Sequence, residues 1–173
     1  MSLSELRRAD HPSVSARAVV AADISQVWAV ISDISLPIEG SGELHAVEWV
    51  APADGPAVGA VFVGHNRNDH MGEWTTTCTL VACDAPRSLR WAVNDPPLAW
   101  WGYELSSDAS GTTVVQTFQL GPGMSGLDPL IEKYPEREHE FITGRFEQKR
   151  AEMAANLMMV GARLGVGVTP LDQ

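Results

Sequence analysis

The 173 residues suit one domain of ordinary size, and a chain of this length buries roughly 70% of its unfolded surface without needing metal or disulfide staples. Apolar residues make up 45% and charged residues 20%, which excludes a disordered chain. Twelve basic residues against 22 acidic ones leave a net charge of −10, a field that repels phosphate backbones and anionic lipid, so no nucleic-acid partner is expected.

Residues 1–12 are polar and read as a flexible tail. A first strand is predicted over 14–21, then a helix over 24–34 capped by Asp23, with Ile24, Val27, Trp28 and Ile31 on one face. Pro37, Gly40 and Gly42 break that pattern. Strands are then predicted at about 43–51, 59–68, 72–83, 88–94, 98–106 and 111–120, divided by turn-forming runs such as PADGP (52–56), DAPR (84–87) and NDPP (94–97). Short connections make this an antiparallel meander. After an irregular stretch containing Pro122, Gly123, Gly126 and Pro129, with a turn of helix through Leu130 and Ile131, a proline-free helix is predicted over 136–164. Its apolar face carries Ile142, Phe146, Met153, Leu157, Gly161 and Leu164. Residues 166–173 are left as a C-terminal tail around a single domain at 13–165.

No window approaches the ~20 apolar residues of a membrane span, and the first residues lack an apolar h-region, so neither span nor signal peptide is expected. Cys78 and Cys83, on opposite faces of one extended strand and ~16 Å apart, cannot bond to each other. Together these features predict a reduced, cytoplasmic protein, as monomer or homodimer.

Strand alternation assigns the faces. It turns Trp74, Thr76, Cys78, Leu80 and Ala82 inward, then Leu89, Trp91 and Val93, then Trp101, Tyr103 and Leu105, and finally Thr112, Val114, Gln116, Phe118 and Leu120. Trp100 and Glu104 fall outside, and Phe62, Gly64 and Asn66 are preferred inward over Val61, Val63 and His65. Large aromatics interleaved with polar groups fit a ligand-sized cavity, although they also fit a closed core in which each polar atom finds a backbone partner.

Several local signatures bear on that choice: Val27-Trp28, Asp33-Ile34, Val58-Gly59-Ala60-x-Phe62, Trp74, Pro86 followed by Trp91, Trp101-x-Tyr103-x-Leu105 and Gly111-Thr112-x-Val114. They resemble the START-like helix-grip superfamily, and within it the bacterial polyketide cyclase/dehydrase or SRPBCC proteins. The segment 121–135, with Arg145 beyond it, is similar to a subset common in actinobacteria. The resemblance covers about residues 14–164. It implies an α+β fold in which a curved antiparallel sheet of about seven strands wraps around a long C-terminal helix. It also implies a deep cavity for lipids, sterols, polyketides or hormones, with no cofactor. The candidate ligand-binding residues are then Phe62, Asn66, Trp74, Thr76, Cys78, Trp91, Trp101, Tyr103, Gln116 and Phe118 from the strands, and Arg145, Phe146, Met153 and Leu157 from the helix.

His65, Asp69 and His70 share one hairpin, but 65 and 70 differ in parity and the tip is solvated, so no metal site is expected. Glu138, His139 and Glu140 read as a solvated helix start. Cys78 has no cation or helix N-terminus beside it to activate a thiolate. Arg145 can reach a ligand at the cavity mouth or pair with Glu132 or Asp128. Two functions fit: a carrier or sensor of a hydrophobic small molecule, or a cyclase-like enzyme needing a tuned acid or base in the cavity. Tyr103, and His45 or His65, are the inward proton donors on offer, and without an assignable inward carboxylate the binder is favoured, with no catalytic residue assigned. A protein-interaction module would expose an apolar outer sheet face. The Thr-rich outer face of 72–83 argues against that, while Trp100 keeps it open.

Overall fold

The computed structural model describes residues 6–69 and 71–171. Eight antiparallel strands form one sheet: β1 (Ser13–Val20), β2 (Leu44–Trp49), β3 (Val61–Asn68), β4 (Gly72–Asp84), β5 (Ser88–Val93), β6 (Ala99–Asp108), β7 (Gly111–Leu120) and β8 (Val168–Leu171). Their order is β2-β3-β4-β5-β6-β7-β1-β8. The six strands β2–β7 follow the predicted meander, while β1, first in the chain, joins at its far side by pairing with β7. Helix α4 (Glu138–Leu164) lies across the inner face, and the architecture is the expected α+β helix-grip fold.

The burial of alternate residues tests the predicted faces. Strand β7 alternates between buried and half-buried along its whole length, with Thr112, Val114, Gln116, Phe118 and Leu120 buried. Phe62 and Gly64 are buried on β3, as preferred. On β4 the alternation holds only to Leu80. The register with β5 shifts between Leu80 and Ala82, so that Cys83, and not Ala82, packs on the core. Such a bulge adds one residue and reverses every later side chain. It brings both cysteines toward the core side, where both are free thiols.

Three segments depart from the sequence reading. The predicted helix 24–34 ends at Ile31 (α1, Ile24–Ile31), with the Gln26 side chain reaching back to the Asp23 N–H at 3.3 Å. A second short helix, α2 (Leu36–Gly40), follows, with Pro37 in its first turn, where proline's missing N–H costs nothing. Arg163 near the end of α4 binds Asp33 at 2.7 Å and also Glu39, tying α4 to the α1–α2 corner. The C-terminal segment read as a tail contributes β8, paired with β1, and α4 can approach it because position 161 is glycine: a Cβ there would stand 2.3 Å from Val168 Cγ2.

At the other end, residues 1–5 of the expected tail lie outside the described residues, but Arg8–Asp10 form a 3-10 turn that is fastened down. The Arg8 guanidinium donates to Asp128 at 2.7 Å, to the Gly121 carbonyl at 2.6 Å and to the Gly123 carbonyl, while the Arg8 N–H reaches Glu138 at 2.7 Å. Glu138 is therefore a clamp and not part of a solvated helix start, and Asp128 is taken by Arg8, not Arg145. This contact fixes the irregular segment that contains α3 (Asp128–Lys133). Among the described residues, no helix is long and apolar enough to cross a membrane.

Candidate ligand-binding cavity

Helix α4 packs chiefly on β1 and α2, touches α1, β7 and β8 more lightly, and stands off from β2–β6. The space left between α4 and the inner faces of β3–β7 is a cavity of about 880 Å³. Ten strand residues proposed from alternation line it: Phe62, Asn66, Trp74, Thr76, Cys78, Trp91, Trp101, Tyr103, Gln116 and Phe118. Arg145 lines it from α4. Met124, Leu127 and Leu130, from the segment held by Arg8, form part of its cover.

Phe146, Met153 and Leu157 do not line it. They are buried between α4 and the sheet, with Met153 at 0% exposure. The apolar stripe of α4 marks the surface that packs on the sheet. The cavity-facing stripe (Phe141, Arg145, Gln148, Lys149, Glu152) lies largely one residue, or ~100°, around the helix.

The walls are aromatic. The Trp91 and Trp101 rings, partners across β5 and β6, lie 11° from parallel with centroids 6.4 Å apart. Tyr103 sits 5.9 Å from Trp91, and Phe118 sits 4.8 Å from Trp101. Asn66 Nδ2 donates to the Gly64 carbonyl at 3.3 Å and to Thr76 Oγ1 at 3.4 Å. Burial pushes the Cys78 thiol up to about 12, so it is a small apolar wall residue and not a nucleophile. Burial likewise raises the Tyr103 phenol above its ordinary value and keeps it protonated as a donor.

Two polar features give the cavity its chemistry. The first is a set of buried atoms with no hydrogen-bond partner in the protein: Tyr103 Oη, Gln116 Oε1 and Asn156 Oδ1, all on residues that line the cavity. The second is a charged cluster. Lys149 Nζ lies 2.7 Å from Glu152 and 3.7 Å from Glu43, which is also 3.7 Å from Arg145 and accepts from Asn68 at 3.3 Å. Arg145 thus pairs with Glu43 and with neither Glu132 nor Asp128. Lys149, with its side chain 7% exposed, stands 5.7 Å from the Trp101 ring centroid. Burial, then the Arg145 charge, lowers its pKa, with the two carboxylates opposing. Burial raises the Glu43 carboxyl, but Lys149 and Arg145 outweigh it, so the group stays below its ordinary value.

The sequence reading missed Glu43, Lys149, Glu152 and Asn156. A signal for two of them existed. Residues 142, 146, 149, 153, 156 and 160 recur at alternating spacings of four and three, and all are buried. Lys149 and Asn156 are the polar members of that otherwise apolar series, and a polar residue inside an apolar stripe marks a site worth inspecting. The expected histidine donors are elsewhere: His45 is exposed, and His65 pairs with Glu48 at 3.1 Å away from the cavity. His70 lies outside the described residues. Among the described residues, no three His, Cys, Asp or Glu side chains converge as metal ligands.

A sheet that grips a long helix over a partly open, aromatic-walled cavity is the helix-grip architecture. The family described as polyketide cyclase / dehydrase and lipid transport matches residues 11–153, and the chain belongs to it. Among solved structures, the chain is similar to the polyketide-cyclase-like protein Cgl2372 from Corynebacterium glutamicum, at 24% identity and a TM-score of 0.61, covering 88% of this chain and 93% of that one. It is also similar to the Zhui aromatase/cyclase from Streptomyces sp. R1128, at 19% identity and a TM-score of 0.61, covering 88% and 95%. With the di-domain aromatase/cyclase StfQ of the steffimycin biosynthetic pathway it shares 12% identity and a TM-score of 0.65, over 92% of this chain and 54% of that one. At these identities the likeness is one of fold. No curated protein sequence matches the chain.

Proposed function

We propose that the chain binds a hydrophobic small molecule in the cavity between sheet and α4, as a carrier or sensor. The observation that carries this reading is the cavity of about 880 Å³ walled by Trp91, Trp101 and Phe118, with Tyr103 Oη, Gln116 Oε1 and Asn156 Oδ1 unpaired just behind that wall. Each such group costs about 1–3 kcal/mol when left unpaired, a cost that a ligand hydroxyl or carbonyl removes. Apolar burial against Trp91, Trp101 and Phe118, at ~25 cal/mol per Å², supplies most of the affinity, and the polar atoms orient the ligand. Native mass spectrometry of the protein purified from its own host tests the reading: a co-purified apolar molecule is expected, and its loss in a Tyr103→Phe/Gln116→Leu double variant ties it to the cavity. Absence of any such molecule, together with no binding across a panel of lipids and polyketides, overturns it.

Glu43 and Glu152 give a second reading specific support, because carboxylates do line the cavity and a cyclase needs an acid or base there. The ion pairs weigh the other way. A carboxylate held low by Lys149 and Arg145 is a weak base at neutral pH, far from the matched pKa that proton abstraction favours. With a polyketide mimic, binding without product supports the carrier. Product formed by the wild type and cut ~10²–10⁴-fold in Tyr103→Phe supports the enzyme, with the Tyr103 hydroxyl as donor to a substrate carbonyl.

A further inference from the structure

Only two of the twelve basic residues are lysines, Lys133 and Lys149, and the remainder are arginines. Lys133 is exposed on α3, whereas Lys149 is buried in the cavity wall. Arginine is the usual choice where a buried cation serves only to pair carboxylates, because it is always charged and donates bidentately. Lysine differs in one chemical respect: it can lose its proton, and the neutral amine is a nucleophile. Lys149 spends one of its three donors on Glu152, at 2.7 Å, while Glu43 at 3.7 Å is beyond hydrogen-bond reach. The amine therefore stands beside the Trp101 ring with capacity left for a ligand.

We propose that Lys149 makes this cavity a carbonyl-capturing site, forming a reversible imine with an apolar aldehyde or ketone. The proposal rests on the reading that the cavity holds a hydrophobic small molecule. The neutral Lys149 amine adds to the carbonyl carbon and the C=O electron pair moves onto oxygen. That oxygen takes up two protons and leaves as water while the nitrogen lone pair forms the C=N bond. In net terms, one ammonium and one carbonyl give one iminium and one water. Glu152 is placed to accept the ammonium proton and return it to the departing oxygen. The iminium keeps the single positive charge that Glu152 and Glu43 already face, so capture adds no unpaired charge to the cavity. Burial and Arg145 lower the Lys149 pKa, and each unit of lowering raises the neutral amine fraction about tenfold at neutral pH. The aromatic wall concentrates an apolar carbonyl beside the amine, as effective molarity requires.

The test treats the full chain with decanal and sodium cyanoborohydride near neutral pH, then maps the decylated peptide by mass spectrometry. Binding of the neutral dye N-phenyl-1-naphthylamine is followed separately. Decylation of Lys149 is expected to run at least ~10-fold faster than that of Lys133, to fall on adding excess 1-decanol, and to show no such preference with glycolaldehyde, which gains nothing from an apolar wall. Lys133→Arg should keep the adduct and Lys149→Arg should abolish it. Equal labelling of both lysines, labelling confined to Lys133 or the α-amino group, or an adduct persisting in Lys149→Arg overturns the proposal. If Lys149→Arg does not fold, the ratio mapped on wild type decides alone. Dye bound without preferential labelling overturns the lysine proposal and leaves the cavity reading standing. Neither dye bound nor Lys149 labelled counts against both.

Discussion

Tyr103 and Gln116 are direct partners across β6 and β7, both buried, and each ends in a polar atom that no protein group satisfies. Two adjacent unpaired groups in the wall of one cavity are a cost to folding, and an asset to recognition where a ligand reaches them. Removing either should therefore separate stability from binding.

Tyr103→Phe deletes an unpaired buried hydroxyl and leaves the ring contact with Trp91 in place. The unliganded variant is expected to be as stable as wild type or more so, by up to about 1 kcal/mol in urea unfolding, because the desolvation cost of the hydroxyl disappears. Retention of the co-purified ligand should weaken by about 0.5–1.5 kcal/mol. A variant clearly less stable than wild type would place a partner on that hydroxyl.

Leu157 is 2% exposed on the sheet-packing face of α4. Leu157→Ala is expected to cost about 2–5 kcal/mol in chemical denaturation, the range for a buried leucine whose cavity does not collapse. A loss under ~1 kcal/mol would mean that α4 is rotated about its axis from the packing described.

Arg8 holds the cavity cover through Asp128 and the Gly121 and Gly123 carbonyls. Arg8→Ala leaves those acceptors without their donor and is expected to cost about 1–3 kcal/mol. Amide hydrogen exchange should rise across 121–137 and stay unchanged in β5 and β6, since the clamp restrains the cover and not the sheet. Uniform acceleration throughout the chain would contradict a local clamp.

Acid should loosen the charged cluster of the cavity wall through Glu43. Its folded pKa lies below the ordinary 4.5, so its pairing with Lys149 and Arg145 contributes stability that is fully present above 4.5 and lost as pH falls through the lower folded value. Wild type should lose stability over that window, and Glu43→Gln should show a shallower dependence there while being less stable at pH 7. Identical slopes for the two proteins below pH 4.5 would remove Glu43 from the linkage.

The strand half of the site was legible in the sequence because a strand repeats every two residues. One large apolar anchor such as Phe62, Trp101 or Phe118 then fixes the face of every neighbour until a bulge intervenes, as it does after Leu80. The helix half was legible only in Arg145 and in the polar Lys149 and Asn156 that interrupt the apolar series. Periodicity marks whichever face is apolar, and on α4 that face, with Phe146, Met153 and Leu157, meets the sheet. The face toward the cavity is polar and reads as solvated. Only the stand-off of α4 from β3–β6, and the arrival of Glu43 from ahead of β2, make Lys149, Glu152 and Asn156 an interior surface.

By itself, then, the chain determines the meander strands, the long helix and the aromatic wall, because these follow from local alternation, helical periodicity and turn chemistry, whereas α2 and β8 come from tertiary packing. The tertiary structure decides which polar groups are buried together. Glu43 and Lys149 are brought within 3.7 Å from positions far apart in the chain, and Arg8 reaches Asp128 at 2.7 Å. The physical reason is that a charge pair has no period: its partners are chosen by where the sheet and α4 bring distant segments to the same low-dielectric space.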